Sequence, residues 1–103
     1  MGEYGELFSR LVAAELRAER ARQKMTIEGL VSATGLSKSA VLNYLNSKRD
    51  MPTSALVELS HALHIDPHDL FERASAALNP DDFMLAASDA DYDEEAEAGM
   101  EFP

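Results

Sequence analysis

The chain has 103 residues, of which 46% are hydrophobic and none is cysteine, and its formal net charge is −10. This length fits one small domain with a terminal segment. The missing cysteine excludes disulfides, thiol catalysis and cysteine-ligated zinc. No apolar run is long enough to span a bilayer, and the polar start MGEYGELFSR differs from a signal peptide. We therefore expect a cytoplasmic protein that does not bind membranes.

The charge is divided unevenly along the chain. Residues 79–103 contain nine acidic residues and no lysine or arginine, whereas residues 10–49 contain eight basic and three acidic residues. A basic front joined to an acidic end indicates a nucleic-acid-binding surface with an acidic tail. Lysine and arginine are also ordinary on solvated helices, so the charge alone does not decide the function.

Helical periodicity begins near the N-terminus. Apolar residues recur at steps of three and four over residues 4–16, which predicts a first helix over about 5–22. Thr26 offers a hydroxyl that can cap a short second helix. That helix is expected to stop before Gly35, because glycine adopts the left-handed conformation of a tight turn without strain.

A third helix follows the glycine turn. Ser37 is its predicted N-cap, and the residues expected to face the core are Val41, Tyr44 and Leu45. The remaining positions Lys38, Ser39, Leu42 and Asn43 are expected to face outward. A polar loop over 46–52 ends this helix.

Two more helices complete the predicted bundle. Pro52 is expected to open the fourth helix or to precede it, and Asp66 is expected to cap the fifth, with Pro67 in its first position. The residues of the fifth helix predicted to pack inward are Leu70, Phe71, Ala74 and Leu78. The prediction is an all-α, compact five-helix domain over residues 1–78, followed by an acidic, disordered tail over 79–103. One short helix at about 80–87 is allowed by that pattern.

Two short helices around a glycine turn are typical of a helix-turn-helix. The run over residues 11–71 resembles the Cro/C1-type (XRE) family of phage repressors and related bacterial regulators. The resemblance is carried by Leu16-Arg17, Arg20, Gly35-Leu36-Ser37, and the pattern Leu45-Asn46-x-Lys48-Arg49-x-x-Pro52. It implies a lambda-repressor-like domain that places its third helix in the major groove.

The resemblance also implies roles for individual residues. Those expected to read base edges are Lys38, Ser39, Leu42 and Asn43. Those expected to contact phosphates are Thr26, Ser37, Asn46, Lys48, Arg49 and, with weaker support, Arg17. Lys38 is equally suited to a phosphate, and Ser39 to bonding only water or backbone.

The sequence departs from the family pattern at three positions. Ile27 replaces a glutamine that braces a phosphate and a recognition-helix side chain. Leu45 replaces a glutamate that pairs with the arginine at position 20, so Arg20 needs another acceptor. Ser47 replaces a loop glycine, and it either changes the turn or adopts a left-handed conformation at some cost.

Other chemistries have weaker support. His61, His64 and His68 are spaced like metal ligands, but Pro67 breaks the helical register between them, and we expect surface histidines with no bound metal. No nucleophile elbow is present, and the acidic pairs lie in the predicted tail without a pocket to tune their pKa values. We therefore expect neither an enzyme nor a cofactor.

The sequence thus favours a sequence-specific DNA-binding regulator, most simply a repressor of bacterial or phage type that is nucleoid-associated when bound. A homodimer on inverted half-sites follows from the resemblance, with either Phe71 or the segment 83–85 as the apolar contact. The alternative is an antitoxin-like protein whose acidic tail binds a basic protein while the helix-turn-helix represses its own operon. A tail that competes with DNA, or an inert solubilising tail, also remains open.

Overall fold

The computed structural model describes residues 2–78, which form five helices and contain no strand. The helices are α1 (Glu3–Gln23), α2 (Ile27–Thr34), α3 (Lys38–Leu45), α4 (Thr53–Ala62) and α5 (Pro67–Ala76). The predicted five-helix, all-α domain is therefore confirmed over this range. The predicted tail over 79–103, including the helix at about 80–87, lies outside the described residues. No helix among residues 2–78 is both long and apolar enough to cross a membrane.

The predicted N-caps are present at three helices. The side chains of Thr26, Ser37 and Asp66 accept hydrogen bonds from backbone N–H groups in the first turns of α2, α3 and α5, at 2.9, 3.1 and 2.7 Å. Each of these bonds satisfies a donor that has no partner inside its own helix. Pro52 precedes α4 as its N-cap residue and forms no side-chain cap, while Pro67 opens α5 as predicted.

Three helices end in the same way. After α1, α3 and α4, a residue with positive φ donates to the carbonyl three positions back, and the next residue donates to the carbonyl five positions back. This pair of bonds is the Schellman motif, which usually places glycine at the left-handed position. Here those positions hold Lys24, Ser47 and His64, with φ near 58°. Ser47 is thus left-handed, one of the two outcomes expected from the sequence.

The core is built almost entirely from aliphatic side chains. Fully buried side chains come from α1, α2, α3, α4 and α5, and the largest include Leu16, Leu30, Val41, Leu59 and Leu70. At about 1.5–3 kcal/mol for each fully buried aliphatic side chain, this contact between all five helices supplies most of the favourable free energy of folding. The core therefore holds α2 and α3 against a scaffold of α1, α4 and α5.

Polar side chains of α1 tie that scaffold together. The carboxylate of Glu19 accepts hydrogen bonds from Arg22, Gln23 and, on α5, Arg73, at 2.6, 2.8 and 3.1 Å. The amide of Gln23 also donates to the carbonyl of Leu63 at the end of α4 at 2.6 Å. The C-terminal half of α1 is therefore joined to both later helices.

One packing prediction was wrong in part. Leu70 and Ala74 are buried as expected, but Phe71 is 44% exposed. Its ring meets the edge of Phe8 on α1 at a centroid distance of 5.3 Å. Because α5 turns its buried stripe toward α1 and α4 through Leu70 and Ala74, the position next to Leu70 falls at the margin of the core.

Candidate nucleic-acid interface

The turn between α2 and α3 is rigidly hydrogen bonded. Gly35 ends α2 with φ of 78°, and its N–H donates to the carbonyl of Val31 at 3.0 Å. The hydroxyl of Thr34 donates to the carbonyl of Leu30 at 2.7 Å and accepts from the N–H of Leu36 at 3.1 Å. A side chain added at Gly35 would meet no atom within 4 Å, so glycine is favoured there by its left-handed backbone and not by lack of space.

Helix α3 has one buried and one exposed face. Its buried residues are those the sequence predicted, namely Val41, Tyr44 and Leu45. Of the other residues, Lys38, which begins the helix, and Ser39 are exposed, Leu42 is 36% exposed, and Asn43 is half-buried. Three of the four residues predicted to read base edges are therefore exposed, and the fourth, Asn43, is partly covered.

The two hydroxyl residues predicted to contact phosphates are also N-caps. Because the oxygens of Thr26 and Ser37 accept hydrogen bonds from Gly29 and Ala40, each hydroxyl keeps its own proton as a donor. Both residues are exposed. They bring the N-terminal ends of α2 and α3, which carry partial positive charge, to the surface.

The loop after α3 is positioned by the Schellman motif. The N–H groups of Ser47 and Lys48 donate to the carbonyls of Tyr44 and Asn43 at 3.2 and 2.8 Å. The Arg49 guanidinium lies 5.2 Å from the centroid of the Tyr44 ring and donates to its hydroxyl at 3.3 Å. The remaining loop residues predicted to contact phosphates, Asn46 and Lys48, are exposed beside it.

Arg17, the weakest phosphate candidate, has a structural partner. Its guanidinium donates to the carbonyl of Leu45, the last residue of α3. A guanidinium has five N–H donors, so this bond leaves others available, and the phosphate role stays a prediction. Sequence reasoning missed the bond because it joins residues 28 positions apart.

The structure shows how the domain accommodates its departures from the family pattern at positions 45 and 27. Arg20, which lacks the glutamate at position 45, donates instead to the carbonyl of Met25 at 2.7 Å. Ile27, in place of the bracing glutamine, packs partly buried against the core. A different polar pair joins the two helices of the motif, since the Lys38 ammonium lies 3.0 Å from a carboxylate oxygen of Glu28.

The neighbouring lysine favours the ionised form of the Glu28 carboxyl. The hydrogen bond from Lys38, with smaller effects from the backbone N–H of Glu28 itself and from the lysine charge, lowers the pKa of the Glu28 carboxyl below its usual value. Glu28 was not among the sequence candidates. Its one visible signal was position, an acidic residue in the first turn of α2, and only the fold brings it to the start of α3.

The histidines do not converge. Within residues 2–78 the one group with three ligand atoms inside 4.8 Å of one another comprises His68, Asp69 and Glu72 on the first turns of α5, all exposed. His61 and His64 lie elsewhere, beside an open depression at the end of α4. The spacing that invited a metal interpretation therefore does not produce a three-histidine cluster.

Comparison with known proteins gives one family. Residues 11–73 match the family model described as a helix-turn-helix domain, and no curated protein or solved structure matches the chain significantly. The matched residues cover more than half of the chain and include α2, the glycine turn and α3. This match shows that the chain belongs to the helix-turn-helix domain family of DNA-binding regulators.

Proposed function

We propose that this protein is a sequence-specific regulator of the Cro/C1 type that represses transcription by occupying operator DNA with α3 in the major groove. The observation that carries the proposal is the pairing of a buried apolar face on α3 with a rim formed by Lys38, Ser39, Leu42 and Asn43, of which the first three are exposed. The role assigned to the protein is binding, without catalysis or a cofactor.

The rim residues suit different base edges. The Lys38 ammonium is a donor for guanine O6 and N7, the Asn43 amide can donate to and accept from adenine, and Leu42 offers an apolar contact for a thymine methyl. Leu42 supports this assignment because it is a large aliphatic residue left 36% exposed on a helix whose other face is buried. Flanking phosphates would then meet Thr26, Ser37 and the loop after α3.

The loop after α3 supports a fixed docking position. Arg49 is held against Tyr44, whose ring belongs to the core side of α3, so its guanidinium is placed before any ligand binds. A prepositioned arginine loses less side-chain entropy on binding than a free one. Asn46 and Lys48 precede it in the same loop, so the predicted phosphate contacts lie together at the end of α3.

The direct test is selection of duplexes from a random pool by the full chain, followed by titration of the selected duplex and a scrambled one. We expect an enriched sequence that binds at least tenfold more tightly than the scrambled duplex, with steep salt dependence. Equal binding to both duplexes would reduce the function to non-specific DNA binding. A dimer would appear as an inverted repeat in the selected sequence, with half-sites about one helical turn apart.

A second candidate rests on the charge division of the sequence. Residues 79–103, which lie outside the described range, carry nine acidic residues and the apolar residues Phe83, Met84, Leu85, Tyr92, Met100 and Phe102. This composition suits an antitoxin-like segment that binds a basic protein. A full-length variant with the nine acids changed to amides would lose a co-purifying basic protein if this candidate is correct, and would bind scrambled DNA more tightly if the acids compete with DNA.

A further inference from the structure

A carboxylate of α2 lies beside the start of α3, on a surface where DNA binding favours positive charge. Glu28 lies in the first turn of α2, and Lys38 is the first residue of α3. Their charged groups are 3.0 Å apart, and both side chains are well exposed, 72% for Glu28 and 61% for Lys38. Because both helices present these N-terminal turns beside the exposed rim of α3, the pair sits on the surface assigned to DNA.

Exposed ion pairs contribute little to folding. A pair this open to solvent adds little stability, because water screens the charges and ordering two long side chains costs entropy, and neither side chain contributes to the buried core. The pair is therefore poorly explained as a stabilising device. Its consequence for binding is larger, since it removes one positive charge from the surface that meets a polyanion.

Glu28 also lies at a position that suits a DNA phosphate. Its own backbone N–H helps to keep the pKa of the carboxyl low, and in the first turn of α2 the helix dipole and the free N–H groups favour an anion. Thr26, the predicted phosphate contact at this helix end, is two residues away. The Glu28 carboxylate therefore pairs with Lys38 at a helix end where a DNA phosphate would otherwise bind.

We propose that Glu28 is a specificity-determining residue that restrains Lys38 from binding phosphates indiscriminately and releases it to a base edge only on the correct sequence. The inference rests on the proposed function. On scrambled DNA the lysine stays paired with Glu28, so binding gains little from it. On the operator, a guanine that can accept from the ammonium repays the loss of the ion pair, and Lys38 then adds to affinity for that sequence alone.

This arrangement makes the effect of Lys38 depend on Glu28. In the wild-type background, Lys38→Met should leave the salt slope of scrambled-DNA binding nearly unchanged, because the paired lysine neutralises no phosphate. The unpaired Glu28 carboxylate should weaken binding to both duplexes alike, and operator binding should fall about tenfold further, the loss of one good base contact. In the Glu28→Gln background the lysine is free to neutralise a phosphate. The same Lys38→Met change should then flatten the salt dependence of scrambled-DNA binding by about 0.9 in the slope of log K against log salt.

The experiment measures binding of the full chain to the selected and the scrambled duplex by fluorescence anisotropy across a salt series. The variants are Glu28→Gln, Lys38→Met, the double variant, and Glu72→Gln, a control that removes the same charge from α5, which packs on α1 and α4. We expect Glu28→Gln to bind scrambled DNA about threefold to tenfold more tightly, with a slope steeper by about 0.9, and to have a smaller preference for the operator. Thermal unfolding of each variant verifies that all are folded.

The outcomes separate the two claims. If the wild type binds neither duplex, the proposed function fails and this inference fails with it. If the wild type discriminates but Glu28→Gln matches Glu72→Gln in affinity and slope, the inference alone is overturned. If Lys38→Met flattens the slope equally with and without Glu28, the lysine is an ordinary phosphate contact, which also overturns it.

Discussion

The two basic regions of the chain use their charges differently. In α1, the guanidinium groups of Arg17, Arg20 and Arg22 bind Leu45, Met25 and Glu19 of the same chain. In the loop after α3, Lys48 forms no ion pair within residues 2–78, and Arg49 is held over an aromatic ring with its charge uncompensated. The arginines of α1 therefore organise the domain, and the cations after α3 are the ones available to DNA.

The comparison shows that charge counted along the sequence does not locate a binding surface. Residues 10–49 have a strong excess of positive charge, yet five of their eight basic residues donate to acceptors inside the domain, namely Arg17, Arg20, Arg22, Lys38 and Arg49. What distinguishes the surface assigned to DNA is the combination of free cations with exposed helix N-termini and a small polar rim on α3. The predictions below test this division, beginning with the largest expected effect.

Arg17→Met tests the structural role of the α1 arginines. The change removes a charged donor from the Leu45 carbonyl at the end of α3, and we expect the free energy of unfolding to fall by about 2 kcal/mol. Urea denaturation of the wild type and the variant measures this loss. The salt slope of DNA binding, measured below the unfolding temperature, decides the phosphate role separately, because a lost phosphate contact flattens it by about 0.9. An unchanged stability would contradict the division between the two regions.

Ser47→Gly tests the strain at the start of the DNA-facing loop. A left-handed conformation costs a residue with a side chain about 1–2 kcal/mol relative to glycine, so the variant should be more stable by about 1 kcal/mol after glycine's greater entropy in the unfolded chain is included. Urea denaturation provides the measurement. Ser54→Gly on α4 is the control, and it should be destabilising because glycine weakens a helix. A Ser47→Gly variant less stable than the wild type would contradict the assignment.

Much of the fold was predictable because its signals are local. The caps at Thr26, Ser37 and Asp66 and the glycine turn at Gly35 are each specified by one residue type beside an apolar stripe. The left-handed residues Lys24 and His64 were not predicted, since neither residue type favours that conformation. There the helix ends are set by burial of the residues that follow, such as Ile65, and not by local preference.

The residues that form the site could be predicted from the sequence, but the hydrogen bonds and ion pairs that position them could not. The 3.6-residue period places Ser39 and Leu42 away from the buried residues of α3, so their exposure follows from the sequence. Lys38 shares the side of Val41 and Leu45 and is exposed because it begins the helix. The bonds from Arg17 to Leu45 and from Lys38 to Glu28 depend on how helices pack, which no local pattern specifies. Half-exposed Phe71 is a similar case, because a residue at the margin of an amphipathic stripe is buried only if a neighbouring helix covers it.

Glu19→Gln tests the carboxylate that joins α1 to α5. Hydrogen bonds from Gln23, Arg22 and Arg73 lower the pKa of Glu19 from 4.5 to about 2. Because the pKa is lowered by folding, ionised Glu19 contributes stability that is complete above pH 4.5 and is lost as the pH falls toward 2. At neutral pH the variant should be less stable by about 0.5–1 kcal/mol.

The measurement for Glu19 is the free energy of unfolding against pH for the wild type and the variant. The difference between them should shrink through the interval between pH 4.5 and 2 and disappear below its lower end. Glu58→Gln, an exposed carboxylate on α4 with no ion pair in the described part of the chain, is the control. A difference that stays constant over the whole interval would show that the amide loses packing and not charge.

Lys48→Met tests the free cations after α3 and has the smallest expected effect. Loss of one phosphate contact should weaken binding to every duplex by about threefold at low salt and flatten the salt slope by about 0.9. The ratio between selected and scrambled duplexes and the free energy of unfolding should both stay unchanged, because Lys48 contacts neither bases nor the core. A change in that ratio would assign Lys48 a role in base reading.

The most direct test of the account compares the loss of Asn43, which lies on α3, with the loss of Asn46, the C-cap residue of that helix. Asn43→Ala and Asn46→Ala are measured by anisotropy on the selected and scrambled duplexes. Loss of an asparagine that contacts a base costs about 1–3 kcal/mol of discrimination, so Asn43→Ala should reduce the ratio of the two affinities about tenfold, whereas Asn46→Ala should weaken both duplexes alike. An Asn43→Ala variant that keeps the full ratio would contradict the claim that the exposed rim of α3 reads the sequence of DNA.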